Sequence, residues 1–437
     1  MARLNVRSVN ELKTHEGAVA HPINQAQALR RSVMACLLWE DSFYEDGASI
    51  ADRISELCKS VSMDEVAKIA IDARGKYNLR HVPLLLVREM AKRGGSLVSS
   101  TLASVIQRPD ELSEFLSIYW KDGKQPLSAQ VKKGLAKAFL KFNAHQLAKY
   151  NRDNKVKLRD VLFLCHAKPV GEEQGALFKR LINGTLPTPD TWEVALSSGL
   201  DKAGTFTRLM HEKALGGLAF LRNLRNMKEF GVAKEAVSVY SKVVNIDRIL
   251  PFRFISAARA VPEWEDIIEQ MMLRALEKAE KLRGKTVVVV DNSGSMFGTK
   301  VSAKSDIDRS DAACALAILL REICEDVRII AFANKPTVIA PRRGFALAEA
   351  IQKSESGGTD TGKALLFANQ EPYDRIIMIT DEQSSSAIPN PAGIGYFINV
   401  SINQNGIGYG AWNHIDGFSE AVIEWIKQYE QSEIAMN

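Results

Sequence analysis

Lys285-Thr286-Val287-Val288-Val289-Val290-Asp291-Asn292-Ser293-Gly294-Ser295 is the stretch on which the fold turns. Its four consecutive valines make an apolar run too short for a helix, and β-branched side chains favour extended backbone, so a strand buried on both faces is expected. Toward the C-terminus, Val327 to Ala333, Arg375 to Thr380 and Ile394 to Ser401 repeat that pattern, while Ala312 to Ile323, Gly362 to Ala368 and Ser419 to Tyr429 between and after them are amphipathic. Strands alternating with helices imply βαβ crossovers and a doubly wound parallel sheet over residues 284–437. Ligands of such sheets bind outside the carboxyl ends of the strands.

Toward the N-terminus the periodicity changes. Val131, Leu135, Ala138 and Phe142 recur at three and four, and Pro22, Pro83, Pro109, Pro126, Pro169, Pro187, Pro189, Pro251 and Pro262 punctuate the periodic runs at intervals that suit short helices in pairs. Residues 1–283 therefore read as all-helical, with an α-solenoid as the arrangement that pairs such helices. A length of 437 residues calls for two or three domains, and 46% apolar composition excludes disorder as the dominant state. Neither an apolar run long enough for a membrane helix nor a signal-type N-terminus is present, which points to the cytoplasm. Five scattered cysteines and seven histidines without ligand spacing argue against a disulfide framework or a zinc site.

Asp291-Asn292-Ser293-Gly294-Ser295 also carries chemistry. A tight loop after a strand end can aim Asp291, Ser293 and Ser295 at one locus, giving a hard octahedral cation such as Mg²⁺ one carboxylate and two neutral hydroxyls. Thr359, in the glycine loop Gly357-Gly358-Thr359-Asp360, and Asp381, directly after the strand ending at Thr380, would converge on the same edge. No His, Lys or Glu in a motif beside these residues is an evident general base, so the site reads as one that binds rather than hydrolyses. Gly357 to Lys363 fits G-x-x-x-x-G-K, but Ala364 replaces the hydroxyl residue that would hold Mg²⁺ and no strand precedes it, so a P-loop is rejected.

A formal charge of +5 hides a segregated distribution. Residues 1–283 carry 44 Lys and Arg against 33 Asp and Glu, a net of +11, and residues 284–437 carry 13 against 19, a net of −6. The excess concentrates between Lys121 and Lys168, where 12 basic residues face three aspartates. Lys133, Lys137 and Lys141 step by four along one helix face, away from the apolar positions, and Lys149, Arg152, Lys155, Lys157 and Arg159 follow. Such a stripe suits a phosphate backbone, through charge neutralisation and counterion release, or is simply a solvated face. Arg80, His81 and Arg88, near Tyr77 and Asn78, and Arg222 with Arg225, near Asn223 and Asn226, are side chains that stack on and bond unpaired bases; polar contacts between helices are the alternative.

Three pieces in order, Asp291-x-Ser293-x-Ser295, Thr359 and Asp381, resemble the metal-ion-dependent adhesion site of von Willebrand factor A domains. Upstream, Asn24 to Gly47, Tyr77 to Lys92, Ala148 to Lys168 with Cys165-His166-Ala167-Lys168-Pro169, Thr191-Trp192-Glu193, Leu221 to Met227 and Leu250-Pro251-Phe252-Arg253-Phe254 look like a TROVE module. A TROVE module followed by an A domain resembles the Ro autoantigen family, over nearly the whole chain. That resemblance implies a ring of HEAT-like helical repeats closed by the A domain, with structured Y RNAs on a basic outer surface and single-stranded 3′ ends of misfolded RNAs in a central hole. It puts Lys133, Lys137, Lys141, Lys149, Arg152 and His166 on the RNA-binding surface, and gives the A domain a cation with one position open to an acidic partner. The reading is thus a non-enzymatic, monomeric RNA chaperone or scaffold, with a 3′ exonuclease as a further partner in a bacterial setting. Its rival is a metal-dependent protein-interaction module on a helical scaffold without RNA.

Overall fold

A computed structural model of the chain describes residues 12–34, 36, 46–151, 155–188, 192, 194, 201–247, 249, 251–277, 279–298, 300, 307–408, 410–417, 422–423, 425–427 and 429–430. From Gln25–Met34 to Glu265–Glu277 the regular elements among the described residues are all helices. The starts of these helices are written locally. Asp46 caps Gly47–Ser60 by accepting from the backbone N–H of Ala48 and Ser49, Ser128 caps Ala129–Phe139 at Val131, and Asn143 with Gln146 forms a capping box on Ala144–Tyr150. Pro109 sits at the N-cap of Asp110–Tyr119 and Pro251 opens Pro251–Ala260, where a missing N–H costs nothing.

The helices alternate between two layers. Gln25–Met34 packs on Met63–Gly75, which packs on Leu97–Val105 and through it on Ala129–Phe139; Gly47–Ser60 packs on His81–Arg93, which packs on Asp110–Tyr119. Helix after helix thus buries its apolar stripe against its neighbours, the logic of a HEAT-like solenoid. One core runs from Leu29 to Leu181 through this region. A second joins Phe206 to Leu276 with one face of the C-terminal sheet, so the later helices and the sheet bury each other.

That sheet has six strands, β1 (Leu282–Asp291), β2 (Cys324–Phe332), β3 (Pro336–Ile339), β4 (Arg375–Thr380), β5 (Ile394–Asn399) and β6 (Asn413–Asp416), in the spatial order β3-β2-β1-β4-β5-β6. All pairings are parallel except β2 with β3. Alternate residues of β1 serve opposite faces: Val288 and Val290 join the helix Arg309–Ile323, Val287 and Val289 the helix Thr361–Ala368. Each buried valine contributes about 1.5–2 kcal/mol. The chain leaves β1 for β2 on one side and returns to β4 on the other, so β1 and β4 flank the switch point, where a crevice opens at their carboxyl ends. Asp291 and Asp381 stand there.

The sheet domain holds both ends of the helical part. Arg259 pairs with Asp311 on one side. On the other, Gln25–Met34 packs on β6, Ile402 enters the N-terminal core, and Thr14 Oγ1 donates to the Ser384 carbonyl at 2.7 Å. The chain therefore closes on itself. The doubly wound sheet expected for residues 284–437 is present, with two additions: an antiparallel edge strand, β3, and a last short strand, β6. No helix among the described residues is long and apolar enough to cross a membrane.

Candidate functional site

Asp291 is the last residue of β1, and its carboxylate is held from both sides: Oδ1 accepts the Ser293 N–H at 2.9 Å, and Oδ2 accepts the Thr380 hydroxyl at 2.5 Å. The hydroxyls of Ser293 and Ser295 lie 3.2 Å apart. Gly294 N–H bonds the Gly357 carbonyl at 2.8 Å, tying this loop to the loop of Thr359, and Ser385 in turn donates both its N–H and its hydroxyl to the Thr359 carbonyl. Gly358 lets the second loop approach Asn334, whose Oδ1 would stand 2.7 Å from a Cβ there. Asp291, Ser293, Ser295, Thr359 and Asp381 are all buried at the carboxyl end of the sheet, so the five expected donors are brought to one edge.

Two buried carboxylates share this edge. Burial and the neighbouring Asp381 charge push the Asp291 carboxyl up to about 7, and burial raises Asp381 as well, although the Ser295 hydroxyl and the Arg309 guanidinium favour its charged form. Asp381 Oδ2 is buried and accepts no hydrogen bond. An orphaned carboxylate oxygen, a second carboxylate and adjacent hydroxyls form a donor set that fits a hard divalent cation. Among the described residues no group of three or more His, Cys, Asp or Glu could hold a metal, so hydroxyl donors would have to complete this one.

Behind the site, the turn that carries Asp381 is bolted to the N-terminal helix. Glu382, with φ +62°, accepts from Arg31 at 2.5 Å and from Gly408 N–H at 2.7 Å, and its other oxygen lies 2.9 Å from His414 Nδ1. His414 Nε2 stands 2.7 Å from Asp416. Arg31, Glu382, His414 and Asp416 are all buried. Burial opposes the His414 charge, but Asp416 and Glu382 outweigh it and hold that imidazole up to about 9, so the network carries two positive and two negative charges. Gly406 admits it: a Cβ there would lie 2.4 Å from both Arg31 Nη1 and Glu382 Oε2. Sequence reasoning missed these four residues, since nothing local links positions 31 and 382.

The basic candidates divide. Lys133 and Lys137 are exposed on Ala129–Phe139, opposite Val131, Leu135 and Ala138, and Lys155, Arg159 and His166 are exposed too. Lys149, near the Tyr150 ring, and Lys157, next to the helix Leu158–Cys165, are half-buried. Lys141 departs from its stripe: its ammonium donates to the carbonyls of Ala103 and Ile106, satisfying the end of the helix Leu97–Val105. Arg152 lies outside the described residues.

The Arg80 cluster is an inter-helix ion-pair set rather than a surface of free donors. Arg80 binds Asp110 and Glu114, His81 lies 3.5 Å from Glu114, and Arg88 is buried against Glu89 with a further pair to Asp122. The acidic face of Asp110–Tyr119 supplies the partners of Arg80 and His81, and Glu89 with Asp122 those of Arg88, none of which a local reading of residues 77–88 contains. Arg222 is exposed, and Arg225 is exposed beside Glu229 at 3.5 Å.

These features define a class: a helical repeat closed by a doubly wound sheet with a cation-type edge. Comparison with known proteins names its parts. A TROVE domain model matches residues 183–308 and a von Willebrand factor type A domain model matches residues 286–383. The chain is 23% identical to the RNA-binding protein RO60 of Deinococcus radiodurans, over 60% of this chain and 61% of that protein, so the match spans less than two thirds of the relative's length. The crystal structure of the D. radiodurans RO (RSR) protein superposes with a TM-score of 0.61 at 19% identity, covering 91% of this chain and 97% of that one. The chain thus matches TROVE and von Willebrand factor type A domain models in part, and its fold is that of the D. radiodurans RO protein.

Proposed function

We propose that this protein binds RNA in the cytoplasm as a monomer: small structured, Y RNA-like RNA on its basic helical surface, and single-stranded 3′ ends of misfolded RNA in a hole enclosed by the closed chain, as a scaffold of non-coding RNA quality control. The observation that carries the reading is the exposed basic set Lys133, Lys137, Lys155 and Arg159 within a segment of 12 basic residues against three acidic ones, on a solenoid of the Ro type. The RNA-binding relative supports it. Phosphates are held by charge and by RNA shape, so specificity lies in structure and free ends more than in sequence.

Asp291, Ser293, Ser295, Thr359 and Asp381 would hold Mg²⁺, which would supply an electrophilic position for the carboxylate of an acidic protein partner, such as a 3′ exonuclease. The orphaned Asp381 oxygen supports this. A filter-binding titration of a structured small RNA at several salt concentrations tests the main reading. With about four phosphates neutralised, affinity should fall roughly 50- to 150-fold between 50 and 200 mM salt. Absent affinity, or a flat salt slope, refutes it and leaves the protein-interaction role of the metal edge.

A further inference from the structure

Phe163 lies off the core face of its own helix. In the helix Leu158–Cys165 the buried residues Leu158, Val161, Leu162 and Cys165 repeat at i, i+3, i+4 and i+7 and define the core face. At about 100° per residue Phe163 projects to the opposite side, and it is 56% exposed. Among the described residues only Phe163 and Trp425 are exposed large aromatics, and Trp425 is stacked on Tyr429 with ring centroids 5.3 Å apart. Phe163 is therefore the one exposed aromatic whose ring has no stacking partner among the described residues, and it stands inside the most basic segment of the chain.

Its surroundings suit one occupant. Arg159, one helical turn earlier, is half exposed, Lys155 precedes the helix in the open, and His166, the left-handed residue that ends the helix, and Lys168 are exposed. Asp160 is the acidic neighbour on the helix: its Oδ2 accepts the Lys157 N–H and its Oδ1 lies 3.8 Å from Arg159 Nε, a loose and exposed pair that a phosphate can replace. Val170, 74% exposed in the turn that follows, adds a second apolar surface. An apolar protein partner would have to desolvate these cations. An unpaired nucleobase would not: its ring covers the Phe163 face while its own phosphates neutralise Lys155, Arg159 and Lys168.

We propose that Phe163 is a base-stacking residue, so that the basic surface reads an unpaired nucleotide in the RNA and not only the charge of a duplex. This rests on the RNA-binding reading above and moves the stacking role from the Tyr77 to Arg88 cluster to the helix Leu158–Cys165. Such selectivity needs a π face, which every base offers, and is tolerant of sequence.

The test compares the full chain with its Phe163→Ala and Phe163→Trp variants on two RNAs: a stem–loop with 2-aminopurine in its unpaired loop, and the same stem as a blunt duplex. Phe163→Ala should lower stem–loop affinity roughly 5- to 150-fold and abolish the 2-aminopurine quenching, with duplex affinity, salt slope and melting curve unchanged. Phe163→Trp should keep both affinity and quenching. Unchanged stem–loop affinity in Phe163→Ala, or equal losses on both RNAs, overturns the proposal while RNA binding stands. If the unsubstituted chain binds neither RNA, the underlying RNA reading falls with it.

Discussion

Arg31→Met is the substitution that most sharply probes how the chain is closed. Arg31 and Glu382, 351 positions apart, are 1% and 0% exposed and pair at 2.5 Å between the first helix and the sheet domain. With protonated His414 and ionised Asp416 the buried network is neutral; without Arg31 it holds one uncompensated negative charge. Removing one partner of a buried pair costs about 3–5 kcal/mol, and the remaining His414 charge keeps the loss near the lower bound. About 3 kcal/mol corresponds to a roughly 150-fold larger population of states in which Gln25–Met34 has left the sheet domain. Hydrogen exchange of residues 25–34 should therefore accelerate by about that factor, while the core strand β1 keeps its protection. The double variant Arg31→Met with Glu382→Gln, which buries no orphan charge, should recover part of the loss. Exchange at residues 25–34 within a factor of two of the unsubstituted chain would refute the assignment of this network as the closure.

The same network sets a pH dependence. His414 is held above its ordinary value, so its contribution is fully present below about pH 6.5 and is lost as pH rises toward about 9; thermal melting should fall across that window, and His414→Gln should flatten the fall. Mg²⁺ should raise the melting temperature of the unsubstituted chain and slow exchange at residues 13–31, because Asp381 adjoins Glu382 and Ser384 holds Thr14. Asp291→Ala should abolish both effects, and an unchanged Mg²⁺ response in that variant would dismiss the five-residue site.

Much of the sheet and its edge is legible in the sequence because it is written locally. Four valines make a strand wherever they stand, and Asp291, Ser293 and Ser295 follow it without interruption. β3 and β6 escape for the opposite reason: Pro336-Thr337-Val338-Ile339 begins with a residue that cannot donate to a ladder, and Asn413-His414-Ile415-Asp416 is polar, being dictated by its partners rather than by its own propensity. The basic half shows how far charge spacing reaches. Lys133, Lys137 and Lys141 are equivalent in the sequence, yet Lys141 is drawn to two carbonyls at the end of another helix. Arg80 and Arg88 look like free base-binding groups until Asp110, Glu114 and Asp122 are folded against them. Phe163 leaves a trace that could have been found: it breaks the apolar period of its own helix inside a basic run.

The central claim is that exposed cations of the helical domain hold RNA phosphates. Reversing Lys133, Lys137 and Lys155 to Glu removes three of them at exposed positions, so folding should be preserved. In filter-binding titrations from 50 to 200 mM salt, the triple variant should bind structured RNA at least tenfold more weakly than the unsubstituted chain, with a salt slope shallower by about two to three. Equal affinity and equal slope in the two proteins would contradict the account.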